Sequence, residues 1–222
     1  MLEQLLLFLE IMLINIVLSG DNAVVIAMAS KNLPLDQRKK AIWWGAFGAV
    51  GLRVVLTVVA VALLKVPYIQ AAGSLLLMYI ALKLLLEENG HSNVKSAATL
   101  FSAVWTIILA DFVMSLDNVL AIAAIAKNDF LLIVLGIGLS IPLIIWGSTL
   151  IMKLLHKFPV LVYLGAAILG YTAGEMLTED AKIAQLLHNA HPSYHWLVPL
   201  AGALIVIIAG LVKQFAAKKG PH

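Results

Sequence analysis

The sequence predicts an all-α integral membrane protein of seven transmembrane helices, six of them forming an inverted 3+3 repeat with the seventh outside it. Three observations carry that prediction. Of 222 residues, 62% are apolar and only 12% charged, against about 45–50% and about 25% in an average soluble domain. Apolar runs of about 20 residues, the length that crosses a bilayer, recur seven times along the chain. A polar signature in the first run returns in the fourth. With a mean hydropathy of +1.00, the chain has too little polar surface for a soluble enzyme, a disordered chain or a nucleic-acid-binding domain.

The seven spans are expected at about 4–29, 41–64, 67–87, 98–127, 130–152, 159–178 and 196–215. Lipid offers the backbone no hydrogen-bond partners, so each run must be helical. Met1-Leu2-Glu3-Gln4 has no basic start, which argues for a first span rather than a cleaved signal. The longer connections are 31–40, 88–97 and 179–195, and one transporter domain, 1–222, fills the chain.

Lysine and arginine set the orientation. Lys31, Arg38, Lys39, Lys40, Lys95, Lys153, Lys157, Lys213, Lys218 and Lys219 fall on one side, against Lys65, Lys127 and Lys182 on the other. The positive-inside rule then puts the N-terminus outside and the C-terminus in the cytoplasm. The basic residues form a rim beside anionic lipid rather than a nucleic-acid patch.

Residues 19–32, SGDNAVVIAMASKN, align with 115–128, SLDNVLAIAAIAKN, at seven of fourteen positions. Further on, Lys65/Lys157, Pro67/Pro159, Gly73/Gly165 and Tyr79/Tyr171 correspond. Repeat one spans about 4–87, repeat two about 98–178, and the extra helix about 196–215. Three spans is an odd number, so the second copy enters the membrane from the opposite side. That is the pattern of secondary transporters, which place their site near mid-membrane.

A charge in the bilayer core costs at least about 2.5–3.5 kcal/mol and usually serves a function. Asp21 lies about 17 residues into the first span, and Asp111 and Asp117 lie about 13 and 19 residues into the fourth. Asn15, Ser19 and Asn22 share one helix face, and Asp111, Ser115 and Asn118 repeat that spacing. Unwinding near Gly20 would bring Asp21 onto the same cavity. Carboxylate, amide and hydroxyl oxygens form a hard donor set that suits Mn²⁺, Mg²⁺ or Ca²⁺ and repels anions. Met114 could add a thioether, although core packing accounts for it too. The competing account of both clusters is polar glue between helices.

Arg53 sits about 12 residues inside the second span, where it either pairs with a carboxylate as structure or takes part in gating. Lys83 and Glu175 occupy equivalent repeat positions near span ends. Snorkelling explains both, with Glu175 as a proton carrier the sharper alternative. Glu10 would line the entry. His188, His191 and His195 in the outer connection are either solvated or a Zn²⁺ or pH-sensing cluster. Gly136, Gly138, Gly147, Gly165, Gly170 and Gly174 are expected at close helix contacts. Cysteine is absent, and there is no Walker loop, Ser-x-x-Lys pair or metalloprotease helix, so an enzyme or an ATP-driven pump is not expected.

Ser19-Gly20-Asp21-Asn22-Ala23 and Asp111-x-x-x-Ser115-Leu116-Asp117-Asn118 resemble the paired motifs of the TerC family of bacterial integral membrane proteins, over about residues 5–215. The resemblance is to short, seven-span members within the wider group of LysE-like exporters. It implies a bacterial inner-membrane location and Mn²⁺ as the exported ion, with Asp21, Asn22, Asp111, Asp117 and Asn118 as ion ligands. Asn15, Ser19, Ser115 and Met114 are further candidates, and Arg53, Glu175 and Lys83 are candidates for gating or coupling. Expected partners are the divalent ion, the bilayer, and either a second copy or the secretion machinery, with no nucleic acid. The rival functions are a scaffold that delivers metal to secreted proteins without transport of its own, and an exporter of a small organic solute.

Overall fold

The computed structural model describes residues 20–63, 66–88, 99–125, 130–190 and 193–219. Among the described residues the chain forms helices joined by turns, with no strand: α1 (Gly20–Ser30), α2 (Leu35–Leu63), α3 (Ile69–Glu88), α4 (Leu100–Ile125), α5 (Phe130–Gly138), α6 (Ser140–Lys157), α7 (Val160–Glu179), α8 (Ala181–Ala190) and α9 (Tyr194–Lys219). Five stretches among them are long and apolar enough to cross a membrane: Leu35–Val59, Ile69–Leu86, Val134–Lys157, Val160–Glu179 and Tyr194–Phe215. They correspond to the expected second, third, fifth, sixth and seventh spans. The fourth contributes the shorter apolar stretch Leu100–Leu116. Most of the expected first span lies outside the described residues. Large apolar side chains such as Trp146, Leu75, Leu204 and Ile208 are exposed along these helices. In water they would be an aggregation liability, whereas in a bilayer they are the lipid-facing surface.

Three boundaries differ from the sequence expectation, each for a local reason. The connection expected over 31–40 is shorter, because α2 already begins at Leu35. Arg38, Lys39 and Lys40 are good helix formers and carry the helix beyond its apolar stretch. Arg38 then turns back, its Nη2 donating to the carbonyls of Lys31 at 2.7 Å and Leu33 at 3.2 Å, so it caps the end of α1. The expected span 130–152 is divided at Leu139 into α5 and α6. Pro142 lacks the N–H that would bond the Gly138 carbonyl, and the helix breaks there. The expected loop 179–195 contains α8, too short and polar to register as a span.

Two compact units divide the chain. The first holds α1, α2, α4, α5 and α6 up to Leu154; the second holds α3, α7, α8 and α9. Each unit takes corresponding pieces from both sequence repeats, so the compact division does not follow the repeat boundary. In the first unit α2 packs along α4. Ala46, Ala49, Val50, Ile107, Val113 and Leu116 are buried there. Leu56 is buried with Leu52, Leu63 and Phe112 against it.

In the second unit α7 packs against both α9 and α3. The α7–α9 crossing is closest at Gly170 and Gly174, where a Cβ would come within 2.7 Å of the Gly202 carbonyl oxygen and 2.6 Å of Pro199 Cα. Gly170 and Gly174 thus do what the small-residue expectation asked of them. Gly138 faces open space, and a Cβ at Gly147 would find Ala23 only at 3.9 Å, so neither is a close-contact position.

Asp180 is 2% exposed and caps two helices at once. Its Oδ1 accepts from the amides of Lys182 (3.0 Å) and Ile183 (3.2 Å) in the first turn of α8, and its Oδ2 accepts from Ala71 N (3.2 Å) in the first turn of α3. A carboxylate at two positive helix termini satisfies orphan donors and both dipoles. Asp180→Ala is expected to cost about 2–3 kcal/mol, more than an ordinary cap, because both helix starts lose their acceptor. A fall in the thermal unfolding midpoint in detergent checks this, and an unchanged midpoint would show that solvent replaces the carboxylate.

Candidate functional site

The polar side chains of the first unit converge midway along α2 and α4. Arg53 on α2 is 1% exposed. Its Nη2 is bonded to Asp111 Oδ1 in a buried ion pair, and its Nε donates to Ser115 Oγ at 2.9 Å. Ser115 Oγ in turn donates to Asp111 Oδ2 at 3.2 Å. Asp111 and Ser115 sit one helical turn apart on α4, so one guanidinium spans both. Thr57 Oγ1, one turn beyond Arg53, donates to the Arg53 carbonyl at 2.8 Å. Both carboxylate oxygens of Asp111 therefore have donors, as a charge this deep requires.

Across from this pair lies Asn22 of α1, 3% exposed. Neither its amide oxygen nor its amide nitrogen has a hydrogen-bond partner. Leaving such a group unsatisfied costs about 1–3 kcal/mol, so it asks for an occupant. Asn22 and Asp111 line the same small cavity, walled by Val50, Ile107 and Ile144, with about 10 Å³ of room. That is roughly one water-sized sphere. The aliphatic walls keep the local dielectric low and strengthen any charge interaction inside.

Asp21 precedes Asn22 in the first turn of α1 and is half-buried. Its Oδ1 accepts from the Asn22 backbone amide at 2.8 Å. The structure thus brings Asn22 and Asp111 to one cavity, with Ser115 and Arg53 bonded to Asp111, and Asp21 adjoins it through Asn22. Met114, buried at 5% exposure, lies on the same turn of α4. Asp117 and Asn118 belong to α4, but their side chains lie outside the described residues, as do Glu10, Asn15 and Ser19. Among the described residues no three acidic or histidine side chains gather closely enough to hold a metal ion by themselves.

Lys83 and Glu175 belong to the second unit, with Lys83 partly buried on α3 and Glu175 exposed on α7. His195 is exposed, and its ring centroid lies 3.9 Å from that of Tyr194 with the two planes tilted by 33°. His188 falls in α8, its side chain outside the described residues, and His191 lies outside the described residues altogether. Two features were not read from sequence. Asp180 sits next to a span end, where an acidic residue looks merely solvated, although an Asp directly before a short run of helix formers is a cap signal. The Arg53–Ser115 contact joins residues 62 positions apart, and no local pattern announces it.

The family model for integral membrane protein TerC matches residues 1–218. The chain is 44% identical over 216 residues to the membrane protein YjbE of Bacillus subtilis (strain 168), covering 97% of this chain and 99% of that protein. It is 27% identical over 202 residues to YceF of the same organism, covering 86% and 73%, and 29% identical over 176 residues to YkoY, covering 70% and 54%. No solved structure matches it.

Proposed function

This chain belongs to the TerC family of integral membrane proteins, and we propose that it is a secondary transporter that exports a divalent metal ion, Mn²⁺, from the bacterial cytoplasm. The observation that carries the proposal is the orphaned amide of Asn22, buried and facing the same one-sphere cavity as Asp111. An amide oxygen and a carboxylate are hard donors suited to Mn²⁺, Mg²⁺ or Ca²⁺; the family resemblance selects Mn²⁺ among them. Asp21 supplies a second carboxylate. Asp117 and Asn118, which repeat the Asp21–Asn22 pair, complete the set of ligands. The cavity admits an ion only after most of its water has been shed, and the carboxylates replace that shell.

Transport proceeds by alternating access, with the inverted repeats giving the two exposures of one site. The acidic residues bind either the metal or protons, so inward movement of protons drives the cycle. The distribution of lysine and arginine supports an inner-membrane orientation with the N-terminus outside and the C-terminus in the cytoplasm.

Purified protein in liposomes tests the proposal. Mn²⁺ flux is expected with the intact chain, and Asp21→Asn is expected to reduce it at least about tenfold at equal insertion, since even outer-shell changes at metal sites cost 10–100-fold in affinity. Asp117→Asn should likewise abolish Mn²⁺ tolerance in cells. A metal-delivery scaffold would give no flux even with the unaltered sequence, and that result would reject transport.

A further inference from the structure

Resting on the reading of this cavity as the cargo site, we propose that Arg53 is the site's own tethered cation: it occupies Asp111 while the site is empty, yields it to a divalent ion, and thereby selects divalent over monovalent cargo. The two sides of the cavity are satisfied unequally. On the α4 side, Arg53 and Ser115 engage both oxygens of Asp111. On the α1 side, Asn22 keeps both amide atoms unbonded. A purely structural ion pair would need no orphaned amide facing it across a void. Half of the donor set is already filled by a cation, and the other half waits for one.

The pair and the cargo compete for the same oxygen. Arg53 and Ser115 already engage both oxygens of Asp111, so a metal ion takes Oδ1 as a ligand only where the guanidinium gives it up. A divalent ion held there beside the guanidinium would also meet a like charge at close range, which repels strongly in a low-dielectric interior. The ion therefore binds fully only as Arg53 withdraws from the carboxylate. A monovalent ion fares differently. It offers Asp111 the same charge as the guanidinium, which is already in place and held there by its own helix. It must also shed its water to fit a space of about one water-sized sphere. Nothing offsets that loss for sodium or potassium, whereas the second charge of a divalent ion does.

The exchange also serves release. When the cargo leaves, Asp111 would remain as a bare charge in a low-dielectric interior, which is strongly unfavourable. Arg53 returns to it and covers that charge. Because Arg53 is on α2 and Asp111 on α4, each exchange makes or breaks a contact between the two helices. Occupancy thereby biases the conformation of the first unit.

The test measures Mn²⁺ binding to the full-length protein in detergent by calorimetry, at constant ionic strength, with the monovalent salt either sodium or a bulky organic cation. Arg53→Met removes the competitor and is expected to bind Mn²⁺ at least about tenfold more tightly than the unaltered protein, because no fraction of the site is withheld by the pair. Its binding is expected to weaken in sodium, while that of the unaltered protein does not. Arg53→Lys keeps the charge but cannot hold Ser115 and Asp111 together. It is expected to lie between the two, and it carries the comparison alone if Arg53→Met does not fold. A structural prop would give the reverse order, since its loss would weaken binding. Equal or weaker Mn²⁺ binding in the variants, or equal sodium sensitivity throughout, overturns the proposal. Absence of Mn²⁺ binding in the unaltered protein overturns instead the reading of the cavity as a cargo site, and this inference with it.

Discussion

Asp111→Ala is expected to destabilise the protein by about 3–5 kcal/mol, the cost of leaving a buried guanidinium without its carboxylate. Arg53 is 1% exposed at mid-helix, so its side chain cannot reach water by a simple rotamer change. Ser115 Oγ remains as an acceptor for Nε, but a hydroxyl does not neutralise a charge. The double replacement Arg53→Met with Asp111→Leu behaves differently. It removes both charges and both desolvation costs, and buried pairs replaced by apolar groups of similar volume are often neutral or stabilising. Its unfolding midpoint should return to near that of the unaltered protein, while Mn²⁺ binding is lost. Denaturation in detergent measures the first and calorimetry the second. If the double variant is as unstable as Asp111→Ala, the pair is not the source of the cost. If it binds Mn²⁺ as well as the unaltered protein, Asp111 is no ligand.

The sequence made the membrane character and most span positions legible because lipid imposes one requirement, apolar length, that composition reports directly. It also singled out Asp21, Asn22, Asp111 and Arg53, since each is a polar group where only apolar ones belong. Pairwise geometry was not legible. Arg53 had two carboxylate-bearing spans to choose from, and its choice of Asp111 depends on how α2 lies along α4. The early start of α2 at Leu35 and the helix Ala181–Ala190 escaped detection for a related reason. Hydropathy marks where lipid ends, and helices continue past that point whenever the next residues are good helix formers. The division of α5 from α6 did have a local signal in Pro142, obscured because a proline within an apolar run is often tolerated in membrane helices.

Gly174→Val is the second large effect, and its argument turns on what the added atoms meet. A Cβ at Gly174 would stand 2.6 Å from Pro199 Cα, 2.7 Å from the Val198 carbonyl oxygen and 2.9 Å from Pro199 N. All three are backbone atoms, so no rotamer change can relieve the overlap. Pro199 makes the position stiffer still, since its ring fixes φ and its missing N–H already frees the His195 carbonyl. Relief requires α9 to move off α7, which also opens the contact at Gly170 and Gly202. Overpacking alone typically costs about 1–3 kcal/mol, and separating two helices adds lost dispersion along the whole crossing. A loss of about 3 kcal/mol or more is therefore expected, with faster hydrogen exchange across α7 and α9. Gly48→Ala is the control. Its Cβ would come within 2.6 Å of Ile108 Cδ1, equally close on paper, but that atom is the far end of a flexible side chain that can swing aside. Its cost should stay below about 1 kcal/mol. Equal destabilisation by the two variants would mean that the α7–α9 crossing yields as readily as a side chain, and that its glycines do not set the distance between these helices.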